Sequence, residues 1–203
     1  MLKALTRPAL TAAFLAAAVS HAPAASVAKT YSYFTIGGNT LEDIEKELTV
    51  RGPKVNSTGR RHPGATQMEF TSKLGYAENN GRCQITKATV TVKAKVILPR
   101  WGRRSGADPS TQMVWDTLSA DIKRHEESHV SIAKNHAREL EDKLKKLGRF
   151  KTCKDAAEKA KQVTAKILGR HDREQDKFDY VEGVNFERRL LRLLKYRMGM
   201  AVE

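Results

Sequence analysis

The stretch from Ser110 to Leu147 constrains the fold of this chain more than any other part of it. Trp115, Leu118, Ile122, His125, His129, Ile132, His136, Leu140 and Leu144 recur there at steps of three and four. That spacing places them on one slowly drifting stripe of a single amphipathic α-helix, closed by Gly148. At about 1.5 Å per residue such a helix is roughly 57 Å long. It must lay its stripe against something, so the rest of the chain has to supply a matching apolar face.

The clearest supplier is Arg82 to Leu98. Ala88, Val90, Val92, Ala94, Val96 and Leu98 alternate with Thr89, Thr91, Lys93 and Lys95, the period of a strand with one buried and one wet face. Pro99 is expected to end it. A second strand is expected from Thr66 to Tyr76, joined to the first through a turn at Glu78 to Gly81, and a third from Tyr31 to Ile36 before Gly37-Gly38. One wet face suits an antiparallel sheet. Thr40 caps a short helix with Asp43 three residues beyond it; Leu41, Ile44 and Leu48 form its apolar face, and Gly52-Pro53 stops it. Residues 54 to 64 read as a basic loop, and Trp101 to Pro109 as another. Trp101 and Trp115 read as packing residues. Beyond the long helix, a second helical region is expected from Cys153 past Ile167, with a break near Gly169 and a basic helix from Glu187 to Arg197. The fold class is therefore α+β: a small antiparallel sheet packed on the long helix and on a second helix.

Within the stripe, His125-Glu126-Glu127-Ser128-His129 matches the His-Glu-x-x-His zinc pattern. Residues four apart share a helix face, so the two imidazoles can converge on one ion. Glu126 lies about 100° round the helix from His125. From there it can take a proton from a water that zinc has made more acidic, which is the chemistry of amide hydrolysis. A catalytic zinc site needs a third protein ligand. His136 is about 10 Å further along an unbroken helix and cannot share the ion; Glu139 fails for the same reason. The acidic region His171, Asp172, Asp176, Asp179, Glu182 is the best supply.

Residues 1 to 24 have the form of a cleaved export signal. Lys3 and Arg7 precede an apolar run from Ala9 to Val19, and Ala22-Pro23-Ala24 supplies the small residues for processing after Ala24. The expectation is a secreted or periplasmic protein with residues 25–203 as one domain, of which 186–203 form a basic C-terminal helix. The formal charge is +14, and losing Lys3 and Arg7 leaves +12 because that segment holds no acid. A surface this basic attracts anionic envelope polymers or lipid headgroups. An exported chain with few aromatics and no reader motif is not expected to bind nucleic acid. The only two cysteines, Cys83 and Cys153, would meet in an oxidising compartment, and a bridge between them is the simplest reading.

Several segments in order resemble the bacterial family of predicted secreted zinc-dependent proteases catalogued as a domain of unknown function, number 922. They are Gly81-Arg82-Cys83, Ile97-Leu98-Pro99-Arg100-Trp101, Trp115 ahead of the zinc motif, and Cys153. The resemblance spans roughly Tyr31 to Asn185. It implies that Cys83 and Cys153 are the family's cysteine pair. The family pattern continues with Tyr-Asp, a Thr and then His-Gly. Here Phe178-Asp179 matches its start, while Thr and His are missing. The third ligand is then either Glu182, with Glu182-Gly183 standing in for His-Gly, or Asp179.

The function expected on these grounds is a zinc metallopeptidase acting on a peptide or protein substrate. His125 and His129 would be ligands, Glu126 the general base, and a sheet edge would hold the peptide. The alternative is a non-enzymatic envelope protein that binds polyanions, with zinc structural or absent. The stretch Arg188 to Lys195 mixes cations with leucines and suits either a docked basic helix or an anionic surface.

Overall fold

A computed structural model describes residues 25–55 and 59–199. The expected export signal lies outside them. Three strands and three helices follow one another: β1 (Ser26–Ile36), α1 (Leu41–Arg51), β2 (Ala65–Asn79), β3 (Arg82–Trp101), α2 (Pro109–Lys145) and α3 (Cys153–Arg197). The class is α+β, with a small sheet packed on the motif-bearing helix and on a second helix tied to it by a disulfide. Among the described residues no helix is long and apolar enough to cross a membrane.

The sheet has the order β1-β3-β2. β2 and β3 form an antiparallel hairpin whose two-residue turn puts Asn80 and Gly81 at φ 51° and 69°, the left-handed pair of a type I′ turn. β1 lies parallel to β3, from Ser26 opposite Thr91 to Ile36 opposite Trp101, so the sheet is mixed rather than antiparallel throughout. Connectivity explains this. β1 ends and β2 begins at the same end of the sheet, joined by α1 and its loop, and β3 then inserts between them in the direction of β1. One-sided burial does not distinguish the two arrangements here, because the helices cover only one face.

β3 is the spine of the core. Ala88, Val90, Val92, Ala94, Val96 and Leu98 are all buried; the first three meet Ala133, Ala137, Leu140 and Leu144 of α2 and Ala160 and Ile167 of α3, and the last three meet Ile122 and Val130 of α2. On the helix, Ala133 and Ala137 reach the core and Ile132 sits only partly buried. β3 does not stop at Pro99 but runs on to Trp101. The pairing with β2 begins at Ile97, so at Pro99 only β1 is a neighbour, and a proline without an N–H is tolerated where one side of the ladder is open. At this end Trp101 and Trp115 pack 5.8 Å apart in a cluster with Ile36, Ile44 and Leu48. Thr40 and Asp43 complete the expected capping box of α1.

α2 and α3 run antiparallel. The break expected near Gly169 and the separate basic helix from Glu187 are both absent: α3 is one helix of 45 residues, about 68 Å long. From the residue after that glycine onward its register on α2 is held by Arg170 with Glu139 and by Arg189 with Asp121. Tertiary pairing of this kind overrides the modest helix penalty of one glycine. The Cys83–Cys153 disulfide joins the start of β3 to the start of α3, with 5.0 Å between the Cα atoms. Beside it Cys83 and Phe150 exchange two backbone hydrogen bonds of 2.9 and 2.8 Å.

Candidate metal centre

The motif histidines sit where α2 passes under the first residues of β2 and faces the middle of α3. Their Nε2 atoms are 3.1 Å apart. Asp179, on α3, brings Oδ1 to 3.2 Å from His125 Nε2 and 3.0 Å from His129 Nε2. The three donor atoms thus form a nearly equilateral triangle. Ligands placed about 2.0 Å from a tetrahedral zinc are about 3.3 Å from one another, so two imidazoles and one carboxylate in this arrangement fit the ion in donor type and in spacing.

Glu182, the other expected third ligand, lies one turn further along α3. Its Oε2 is 3.6 Å from Nδ1 of His125, the ring nitrogen turned away from the triangle, and the same carboxylate is held by Arg124 and Arg189. His136 is occupied elsewhere, with Nε2 2.8 Å from Glu174. Glu139 pairs with Arg170, and His171 Nδ1 is 2.9 Å from Asp172.

Residues not singled out in the sequence orient the donors. Gln175 is four residues before Asp179 and therefore on the same face of α3. Its Nε2 donates to the backbone oxygen of His129 at 3.1 Å, which turns its Oε1 to 2.5 Å from His129 Nδ1. Nδ1 must then carry the proton, and Nε2 is left to face the triangle. An outer hydrogen bond that fixes the tautomer in this way is a regular partner of metal-binding histidines. Gln175 is itself braced by His171, Nε2 to Nε2 at 2.8 Å. The Phe178 ring stacks on His125 at 5.0 Å and meets His129 edge-on at 5.1 Å. Gln175 and Phe178 are legible only after Asp179 is known to be central, because they are then its neighbours at four residues and one.

Glu126 is buried, at 5 % relative exposure. Thr66, near the start of β2, brings its hydroxyl to 2.8 Å from Oε2 and 3.0 Å from the main-chain oxygen of Glu126. The approach of β2 to α2 is close enough to require glycine at 64: a Cβ there would lie 2.8 Å from Glu126 Oε1 and 2.9 Å from Ile122 Cγ2. Burial pushes the Glu126 carboxyl above its ordinary value, against the opposing pull of Thr66 and both histidines. The reverse holds for Asp179, where burial is outweighed by hydrogen bonds from His125 and His129 and the carboxyl is held well below the usual range. Burial also disfavours the charged form of His129, but Asp179 and Gln175 more than offset this and raise it. The site therefore contains one carboxylate tuned to stay ionised and one tuned toward accepting a proton. A cleft of about 170 Å³ opens on both histidines, Glu126 and Asp179.

Fold and site together define an α+β domain whose His-Glu-x-x-His helix is completed by an acidic residue from a second helix. The chain belongs to the family described as bacterial protein of unknown function (DUF922), which matches residues 31–186. No curated protein and no solved structure matches it.

Proposed function

We propose that this protein is a zinc-dependent peptidase of the cell envelope or its exterior, with His125, His129 and Asp179 as ligands and Glu126 as general base. The observation that carries this reading is the convergence of three donor atoms to within 3.2 Å of one another, with a buried carboxylate, raised by that burial, next to one of them in the chain. Bound zinc supplies a more acidic water and polarises a carbonyl. Glu126 removes the proton from the attacking water and returns it to the amine as the amide C–N bond breaks, so the pair of proton transfers leaves the residue unchanged. Thr66 holds the carboxylate in place, and Gln175 holds His129.

A structural zinc would need four protein ligands and a closed site. Here three donors converge, and the third, Asp179, has 54 % of its side chain exposed, which favours an open position and therefore catalysis. The disulfide suits an oxidising compartment, in keeping with export. The test is metal content together with cleavage of a mixed peptide library. The purified protein should carry about one zinc per chain, the stoichiometry of a single three-ligand site. Glu126→Gln should keep the zinc and lose cleavage. A parent protein that holds zinc but cleaves nothing would leave the ion without the proposed role.

A further inference from the structure

The metal cleft continues along the groove between α2 and α3. A cavity of about 260 Å³ begins at His125, Glu126 and Asp179 and has Ile122, Pro63 and Phe186 as apolar walls. Pro63 and Phe186 also wall a second cavity of about 390 Å³, floored by Ile44, Trp115, Leu118 and Leu190. Phe186 and Leu41 on the rim are left 39 % and 44 % exposed, so among the described residues the groove is open rather than filled. The charged groups beside the first cavity satisfy each other: Arg189 reaches Asp121 at 3.0 Å and Glu182 at 3.2 Å.

Gly183 points to what the groove is for. It lies inside α3 on the wall of the first cavity, and a Cβ built on it would meet nothing within 4 Å. Glycine is a poor residue inside a helix, and here no close contact demands it. Without a side chain it adds no bulk to the cavity wall, one turn of helix from Asp179. Leu118 is seven residues before His125, about 10 Å along α2, and an extended peptide advances about 3.3–3.6 Å per residue. Both cavities therefore lie within about three residues of an amide placed at the metal centre.

We propose, resting on the peptidase reading, that this groove binds an extended peptide by large aliphatic or aromatic side chains within three residues of the scissile bond, with Gly183 left bare to admit them. The occupant is a peptide rather than a lipid chain because the groove starts at the hydrolytic centre and its spacing matches successive residues of a strand.

The test is equilibrium binding to the Glu126→Gln protein, with and without added zinc, of labelled hexapeptides in which each position is in turn Ala, Leu or Phe. Leu or Phe at one or two positions should bind about ten- to a hundredfold more tightly than Ala, the return from burying one large side chain. Adding Gly183→Leu should shrink that ratio to about twofold or less while the helical circular dichroism is unchanged. Gly169→Ala, at a helical glycine away from the groove, should preserve it. Peptides that bind alike whatever the side chain, a preference that survives Gly183→Leu, or free fatty acid binding in the absence of any peptide preference would each overturn the proposal. A peptide preference that behaves as expected in a parent protein that hydrolyses nothing would remove the peptidase reading and leave the groove as a peptide-binding site.

Discussion

Gln175 grips His129 from both sides of one amide: the nitrogen takes the main-chain oxygen at 3.1 Å and the oxygen takes Nδ1 at 2.5 Å. A side chain on α3 thereby sets both the ring angle and the proton position of a donor on α2. Gln175→Ala is expected to weaken zinc binding by about 10–100-fold, the usual cost of losing such a partner. Competition against a chelator of known affinity measures this. Gln175→Glu, which keeps an acceptor at that position, should lose less. Equal affinities in all three proteins would show that the amide does not position the ring.

Asp179 and Glu182 are separated by the ring nitrogens they face. Asp179→Ala should leave a two-histidine site that releases zinc on dialysis, whereas Glu182→Gln should retain about one ion per chain. Metal analysis after dialysis decides between them. Loss of zinc from the Glu182 variant with retention in the Asp179 variant would reverse the assignment.

Thr66→Val removes a hydrogen bond that favours the ionised form of Glu126. The carboxyl, already raised by burial, should rise further. Because the base works only when ionised, the acid limb of the kcat/KM profile should move to higher pH. A limb that stays in place or moves down would mean that Glu126 is not the group it reports.

Asp121 predicts the behaviour of the fold in acid. Burial acts to raise its carboxyl, but hydrogen bonds from Arg189 and Arg124 outweigh this and bring it below the ordinary 3.8. The folded value lies under the unfolded one, so the unfolded chain takes up the proton first. The contribution is present above about pH 4 and is lost as pH falls through the folded value. Denaturant titrations of Asp121→Asn should accordingly show a shallower decline of stability below pH 4 than the parent.

Removing the Cys83–Cys153 link should cost about 4 kcal/mol on the chain-entropy account of a loop of 70 residues. Chemical denaturation of the double serine variant measures it. A change under about 1 kcal/mol would indicate that the unlinked chain keeps β3 and α3 together even when unfolded.

What the sequence revealed and what it hid divide along one physical line. Period-two burial in β3, the Thr40–Asp43 cap and the four-residue spacing of His125 and His129 are local patterns, and each is found in place. The direction of β1 depends on which strand inserts beside it, and the continuity of α3 through Gly169 depends on partners such as Glu139 and Asp121 far away in the chain. No local pattern carries that information. The meeting of Asp179 with the two histidines was one of two open choices for the same reason: the register of α3 on α2 decides which carboxylate arrives. Thr66 and Gly64 had no signal at all, since their part comes from β2 crossing over Glu126.

The donor at Asp179 is 26 residues along α3 from the cystine at Cys153, about 39 Å of rod. A rod riveted at one point can still roll and creep along its neighbour; fastened at two, it can do neither. An ion shared by Asp179 and the histidines of α2 would be that second rivet. Loading the centre would then add a fastening midway between the ion pairs of Arg170 with Glu139 and Arg189 with Asp121, and stripping it would leave the far half of the helix to the second of those pairs alone.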